Sequence, residues 1–243
     1  MHGCSQVALN LAPHSGVLAP AALCRLEPGL IQRVARSEGL PAVAWSALFA
    51  IVLGAAAYGA AFGAWRCGLQ AAYAAVKLPA MMLGVTAVSA GINAMLAQAM
   101  GCGLSARQAA VGILISFAVT ASLLGAFSPM VLFLAWQCPS PAAPAAPTAY
   151  AWLLAGNTAL VGLCGLAGNV RLYGLLRVLA GSPWLAARVL LVWIAVSGLA
   201  GCELAWVASP FLARPDLPVP FLNPHAFESN LFEYLWQALA TAG

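Results

Sequence analysis

Charge is what this sequence has least of. Ten Lys and Arg and six Asp and Glu make up 7% of its 243 residues, against about 25% in soluble domains. With 63% hydrophobic residues, that composition excludes a chain that clothes itself in an aqueous surface. Aspartate occurs once, at Asp216, which excludes the Asp-rich metal clusters that phospholipid and isoprenoid transferases use. His2, His14 and His225 fall outside the apolar stretches, so no histidine pair is available to ligate haem inside a bilayer. The seven cysteines include no CxxC pair, whereas zinc and iron–sulfur sites need clustered thiolates. HExxH, P-loop and GxSxG motifs are missing as well. No metal, no cofactor and no catalytic role are therefore expected. Nor do the basic residues form the run or stripe that a nucleic-acid surface requires.

What is present is apolar length. Residues 42–65, 78–100, 108–136, 149–170 and 189–211 form five hydrophobic stretches, interrupted only by Glu203. About 20 apolar residues in a helix cross a hydrocarbon core of about 30 Å. The expected fold is all-α, a polytopic transmembrane bundle of about five spans with flanking amphipathic helices at the interface. Residues 1–41 read as a cytoplasmic tail with a short surface helix, 42–212 as the bundle, and 213–243 as an external strap with an amphipathic C-terminal helix. The first part of the tail reads as flexible. In its second part Leu30, Ile31 and Val34 mark one helical face, and Gly39-Leu40-Pro41 marks a stop. After the last span, Arg214 to Pro220 is too rich in proline for a helix. Asn223 and Pro224 then offer a helix start, with Phe227, Leu231, Tyr234 and Leu235 on one face and Trp236 extending it.

Placing the N-terminus in the cytoplasm puts Arg25, Arg33, Arg36, Arg107, Arg171, Arg177 and Arg188 inside. Arg66, Lys77 and Arg214 are then outside. That imbalance favours an inner-membrane protein with N-terminus cytoplasmic and C-terminus external. No Lys or Arg precedes Arg25, so the start does not read as a secretory signal, and the first span is expected to serve as an uncleaved anchor. Arg66 and Lys77 are the strain in this scheme. Residues 67–76 between them carry Leu69, Tyr73 and Val76 at helical spacing. They suit a short helix in the membrane plane whose flanking charges snorkel, or part of a re-entrant hairpin.

Glu203 is the one carboxylate within a span, counted at roughly two turns from the external surface at about 1.5 Å per residue. An intramembrane ionisable group costs a few kcal/mol at mid-span. It is read either as an ion pair with Arg66 or Lys77, or as a cation or proton site on a transport path. Asn93 and Asn157, like Gln98 and Asn169, read as hydrogen-bonding glue between helices, or as lumen groups if a path exists. Gly59 and Gly63 form a GxxxG pair, Gly162, Gly165 and Gly168 recur every third residue, and Ser197 with Gly201 is a further small pair. Such residues let helix backbones approach closely, within one chain or between chains. Trp45, Trp65, Trp136, Trp152, Trp184 and Trp206 sit near span ends as an aromatic belt.

The layout of a cytoplasmic tail, five closely spaced spans and an external C-terminus resembles the Yip1-like membrane proteins. The run from Trp65-Arg66 to Lys77-Leu78-Pro79, and Gly201-Cys202-Glu203-Leu204-Ala205-Trp206 to Pro210-Phe211, are similar to uncharacterised multi-pass bacterial proteins. The resemblance covers residues 40–235 in architecture and brings no site residues with it. It implies a non-enzymatic role in membrane organisation or trafficking. The expected function is a scaffold or accessory subunit, in contact with membrane lipids and assembled as a homo-oligomer or within a larger complex. The alternatives are a small channel or transporter with Glu203 near its external mouth, and an intramembrane lipid enzyme that pairs Glu203 with Cys202.

Overall fold

The computed structural model describes residues 20–25, 27–223 and 233. Seven helices account for the described fold, in the order α1 (Pro20–Arg25), α2 (Pro28–Arg36), α3 (Leu40–Gly63), α4 (Gly68–Ala99), α5 (Ala106–Gln137), α6 (Ala146–Ala180) and α7 (Pro183–Ala208). α3 to α7 are each long and apolar enough to cross a membrane. The protein is an all-α, multi-pass membrane bundle.

The helix ends follow local chemistry. Proline falls in the first turn of α2, α3, α6 and α7, where its missing N–H costs nothing. Ser105 and Gln108 form a reciprocal capping box on α5. Ser182 caps α7 by accepting from Leu185 N–H, and the chain leaves helix before Pro210. Residues 209–223 hold no helix, as their prolines require.

Two boundaries differ from expectation. Residues 67–76 form neither an in-plane helix nor a re-entrant hairpin. Residues 68–76 are the first turns of α4, which runs unbroken through Pro79. At 32 residues α4 is about 48 Å long, so it outreaches a core of about 30 Å. Likewise α6 continues to Ala180, past the end expected at residue 170. Arg171 and Arg177 are exposed on it, with Arg177 lying 5.9 Å from the Tyr173 ring. Charge ended the apolar count without ending the helix.

The N-terminal segment is also more tightly held than a tail. Leu23 of α1 is fully buried, in residues the sequence leaves in the flexible part. Leu30 and Val34 of α2 pack into the main core where lipid was expected to receive them. Gln108 Nε2 donates to both Val34 O and Ala35 O at 3.0 Å, tying α5 to the last turn of α2, where Val34 O also accepts from Ser37 N–H. Residues 1–19, and the helix expected after Asn223 apart from the helical Glu233, lie outside the described residues.

α3 packs between α4 and α5, and α4, α5, α6 and α7 contact one another in a ring. The tightest crossing joins α3 to α5. A Cβ on Gly54 would overlap Ala121 O, and one on Gly125 would lie 2.8 Å from Gly54 Cα. At the other end of α3, a Cβ on Gly59 would overlap Ala74 O, and one on Gly63 would lie 2.6 Å from Gln70 O. Only glycine permits these approaches.

Candidate functional site

Gln70 and Lys77, seven residues apart, share one face at the start of α4, and Arg66 stands just before the helix, ahead of its extended N-cap Cys67. Together they grip the segment after α7. Arg66 donates to Leu217 O at 3.1 Å, Gln70 Nε2 to Phe211 O at 2.6 Å, and Lys77 Nζ to Pro210 O at 3.0 Å. Asn223 folds the segment back onto α7, through N–H to Val207 O at 3.2 Å and Nδ2 to Trp206 O at 3.3 Å. A chain with few backbone partners of its own is thereby tied down by side chains.

Lys77 is 3% exposed. Its ammonium lies 5.2 Å from the Phe221 ring and 5.9 Å from that of Tyr73. The two rings meet edge to face at 5.0 Å. Cation–π contact and one neutral carbonyl ease its burial, but they do not cancel its charge.

Glu203, half-buried on α7, pairs with neither Arg66 nor Lys77. The one ion pair among the described residues is Arg214 with Asp216 at 3.1 Å, exposed on the strap. Glu203 and Lys77 nevertheless line one cavity of about 340 Å³, between α4, α7 and residues 221–222. The expected pairing fails because each long side chain leans toward the N-terminus of its own helix, and these helices run antiparallel. Cys202 is adjacent to Glu203 in sequence, and neighbours in sequence do not face each other on a helix. Among the described residues no three His, Cys, Asp or Glu side chains converge on a possible metal position.

The amides lie deeper. Tyr58 OH donates to Asn157 Oδ1 at 2.7 Å, and Asn157 Nδ2 donates to Leu153 O at 2.8 Å, joining α3 to α6. Asn93 Nδ2 donates to Ser197 Oγ at 3.3 Å, and Trp193 Nε1 donates to Asn93 O at 2.8 Å, joining α4 to α7. Asn93 Oδ1 and the nearby Ser89 Oγ are buried without a partner. A second cavity of about 270 Å³ lies within the ring of α4 to α7, with Ser116, Thr120, Asn169 and Ser197 among mainly apolar walls.

The small residues divide into two sets. Gly59, Gly63 and Gly168 are true contact points, a Cβ on Gly168 lying 2.6 Å from Ser116 O. Gly201 meets Val85 at ordinary distance, 3.8 Å. Gly162 and Gly165 meet nothing within 4 Å and make no close helix contact in this chain. Spacing alone cannot tell the two sets apart, since it does not say which face turns inward. The sequence reading missed Gln70 and Tyr58. Gln70 was legible in retrospect from its place two turns before Lys77 on the same helical face.

Outside the spans, Cys102 is 2% exposed. Burial pushes its thiol pKa up, an effect the hydrogen bond to Leu104 backbone partly opposes. Cys67, at the other end of α4, is exposed. No family model, curated protein or solved structure matches the chain.

Proposed function

We propose that this protein is a non-catalytic accessory or scaffold subunit of a membrane assembly, the role that the Yip1-like layout also implies. The observation that carries this reading is how little of α7 and α6 the chain itself covers. In their most apolar stretches 17% and 28% of residues are buried, against 56% in α5. Gly156 and Gly162, both exposed on α6, have nothing within 4 Å of an added Cβ. Unoccupied small residues on a span lower the cost of a second helix approaching. The test is a photo-crosslinker at Gly162 in native membranes, with the exposed Leu53 of α3 as the control position. Crosslinks at 162 to a second copy, or to one defined subunit, support the reading. Equal yields at both positions, or a lone monomer after gentle purification, overturn it.

The channel or transporter alternative draws less support, because Asn157 and Asn93 are each engaged by a neighbouring helix. Reconstituted wild type and Glu203→Gln that both pass no ions remove it. An inner-membrane location with α4 starting outside is the arrangement that the distribution of basic residues favours. In single-cysteine chains an impermeant maleimide added to intact cells should label Cys67. Cys102 should stay unlabelled even in opened membranes at neutral pH, since it is buried with its thiol pKa raised and the thiolate is the reactive form. Labelling of Cys67 only after lysis reverses the orientation.

A further inference from the structure

The cavity of about 270 Å³ inside the ring of α4 to α7 has no part in the accessory-subunit reading. Met82, Thr120, Gly165 and Ser197 on its wall each lie within two residues of the middle of their own helices. In spanning helices that level is hydrocarbon, away from the headgroups. The cavity also has a way out. Gly165 stands sixteen residues before Gly181, and Gly198 sixteen after Ser182, so the two glycines lie level on antiparallel helices joined by that turn. A Cβ on either would meet nothing within 4 Å. Val161 and Ile194, one turn from them on the same wall, are 38% and 40% exposed. The seam between α6 and α7 is therefore slotted, toward the acyl chains that surround a spanning helix.

No residue on the wall carries a charge, so an ionised ligand would lie there without a counter-ion. A plain hydrocarbon would leave polar groups unmet, which is costly for buried ones. Ser116 is 7% exposed, and its hydroxyl has no hydrogen-bond partner among the described residues. Ser197 Oγ accepts from Asn93 Nδ2 at 3.3 Å, which leaves its own proton to donate. Asn169 Nδ2 donates to Gly165 O at 2.9 Å, which leaves its Oδ1 to accept. Hydroxyls serve as donor or acceptor, so a small neutral polar group suits this wall.

We propose that the cavity binds an uncharged lipid whose head is one hydroxyl or carbonyl group. The head bonds the serine hydroxyls, and the tail leaves through the slot between Gly165 and Gly198. An apolar cavity of about 150 Å³ takes a benzene ring, so this one has room for the head and the first part of a chain. The proposal does not rest on the accessory-subunit reading, because it concerns the interior of the ring and not the outer face of α6.

Photolabelling of the full chain in liposomes tests it. Four alkyl probes carry the same diazirine and alkyne and differ only at the head: an alcohol, a methyl ketone, a sulfate ester and a plain methyl end. Adducts are read on Thr120, Leu124 and Leu172, wall residues too buried to meet bulk lipid. The alcohol, the ketone or both should label them at least fivefold over the sulfate and methyl-ended probes, and the two neutral arms tell a hydroxyl ligand from a carbonyl one. Gly198→Leu, which plugs the slot, should remove the adducts. Ser116→Ala with Ser197→Ala should bring the neutral heads down to the level of the methyl end. Equal labelling by the sulfate or the methyl-ended probe overturns the proposal, as does labelling that survives Gly198→Leu. Failure of all four probes leaves the cavity to water and overturns it too. If the double variant does not fold, Ser116→Ala alone removes a hydroxyl that bonds nothing in the chain. It should cut the advantage of the neutral heads at least twofold, and an unchanged advantage overturns the proposal.

Discussion

α3 and α5 meet backbone against backbone, whereas α6 and α7 meet the rest of the bundle mainly through side chains and around cavities. Both pairs are apolar, glycine-rich and long enough to span. The difference lies in what stands opposite the glycines. Gly54 and Gly125 face each other's helices, while Gly156, Gly162 and Gly198 face nothing in the chain. In a bilayer the lipid tails are as apolar as leucine, so close packing must come from shape and hydrogen bonds. The α3–α5 pair has the shape. The α6–α7 pair has one such approach, at Gly168, and otherwise attaches through side chains such as Leu172, Leu176 and Trp193, with Asn157 and Asn93 bonding across.

Gly54→Leu should break this contrast most severely, because its side chain must displace the α5 backbone at Ala121. We expect a loss of about 3 kcal/mol or more, seen as a lower midpoint of thermal unfolding in detergent or as failure to recover folded protein. Tyr58→Phe comes next. It removes the 2.7 Å bond that ties α6 to α3, and bonds of this kind average about 0.6 kcal/mol in membranes. The buried amide left behind should raise that to about 1 kcal/mol. Gln70→Ala should have a more local effect, with faster amide exchange across residues 209–217 and little change elsewhere. Gly162→Leu should sit at the bottom of the series, within about 0.5 kcal/mol of wild type, since an added side chain there meets open space. If it destabilises the monomer as strongly as Gly54→Leu, the two regions do not differ as described.

Much of the architecture was legible because a bilayer demands little beyond length and apolarity. The five spans, the start of α7 at Pro183, and the stop before Pro210 all follow from local residues. The long helices were harder to bound. Lys77 and Arg171 ended an apolar count, yet both lie inside continuous helices, because backbone hydrogen bonds persist wherever the membrane ends. α2 kept its amphipathic pattern but turned it toward protein, since Leu30 and Val34 find α5 and α6 before lipid.

The candidate site was half legible. Arg66, Lys77 and Glu203 stood out as charges in apolar surroundings, and the structure brings Lys77 and Glu203 to one cavity. What the sequence could not supply was the choice of partner. Two unlike charges invite pairing on paper, but the direction of side chains on antiparallel helices sends Lys77 to a carbonyl of the strap. The same limitation applied to the glycines, where a repeat says that close approach is possible and leaves the approaching neighbour unnamed.

The bond from Gln70 to Pro210 spans 140 positions along the chain. Because synthesis proceeds from the N-terminus, α4 enters the membrane with its amide and ammonium groups awaiting acceptors that do not yet exist. They are supplied only as the last helix emerges and turns back. The face of α4 is thus completed last, and a chain ending before Pro210 leaves Gln70 and Lys77 without the carbonyls they bond in the full-length protein.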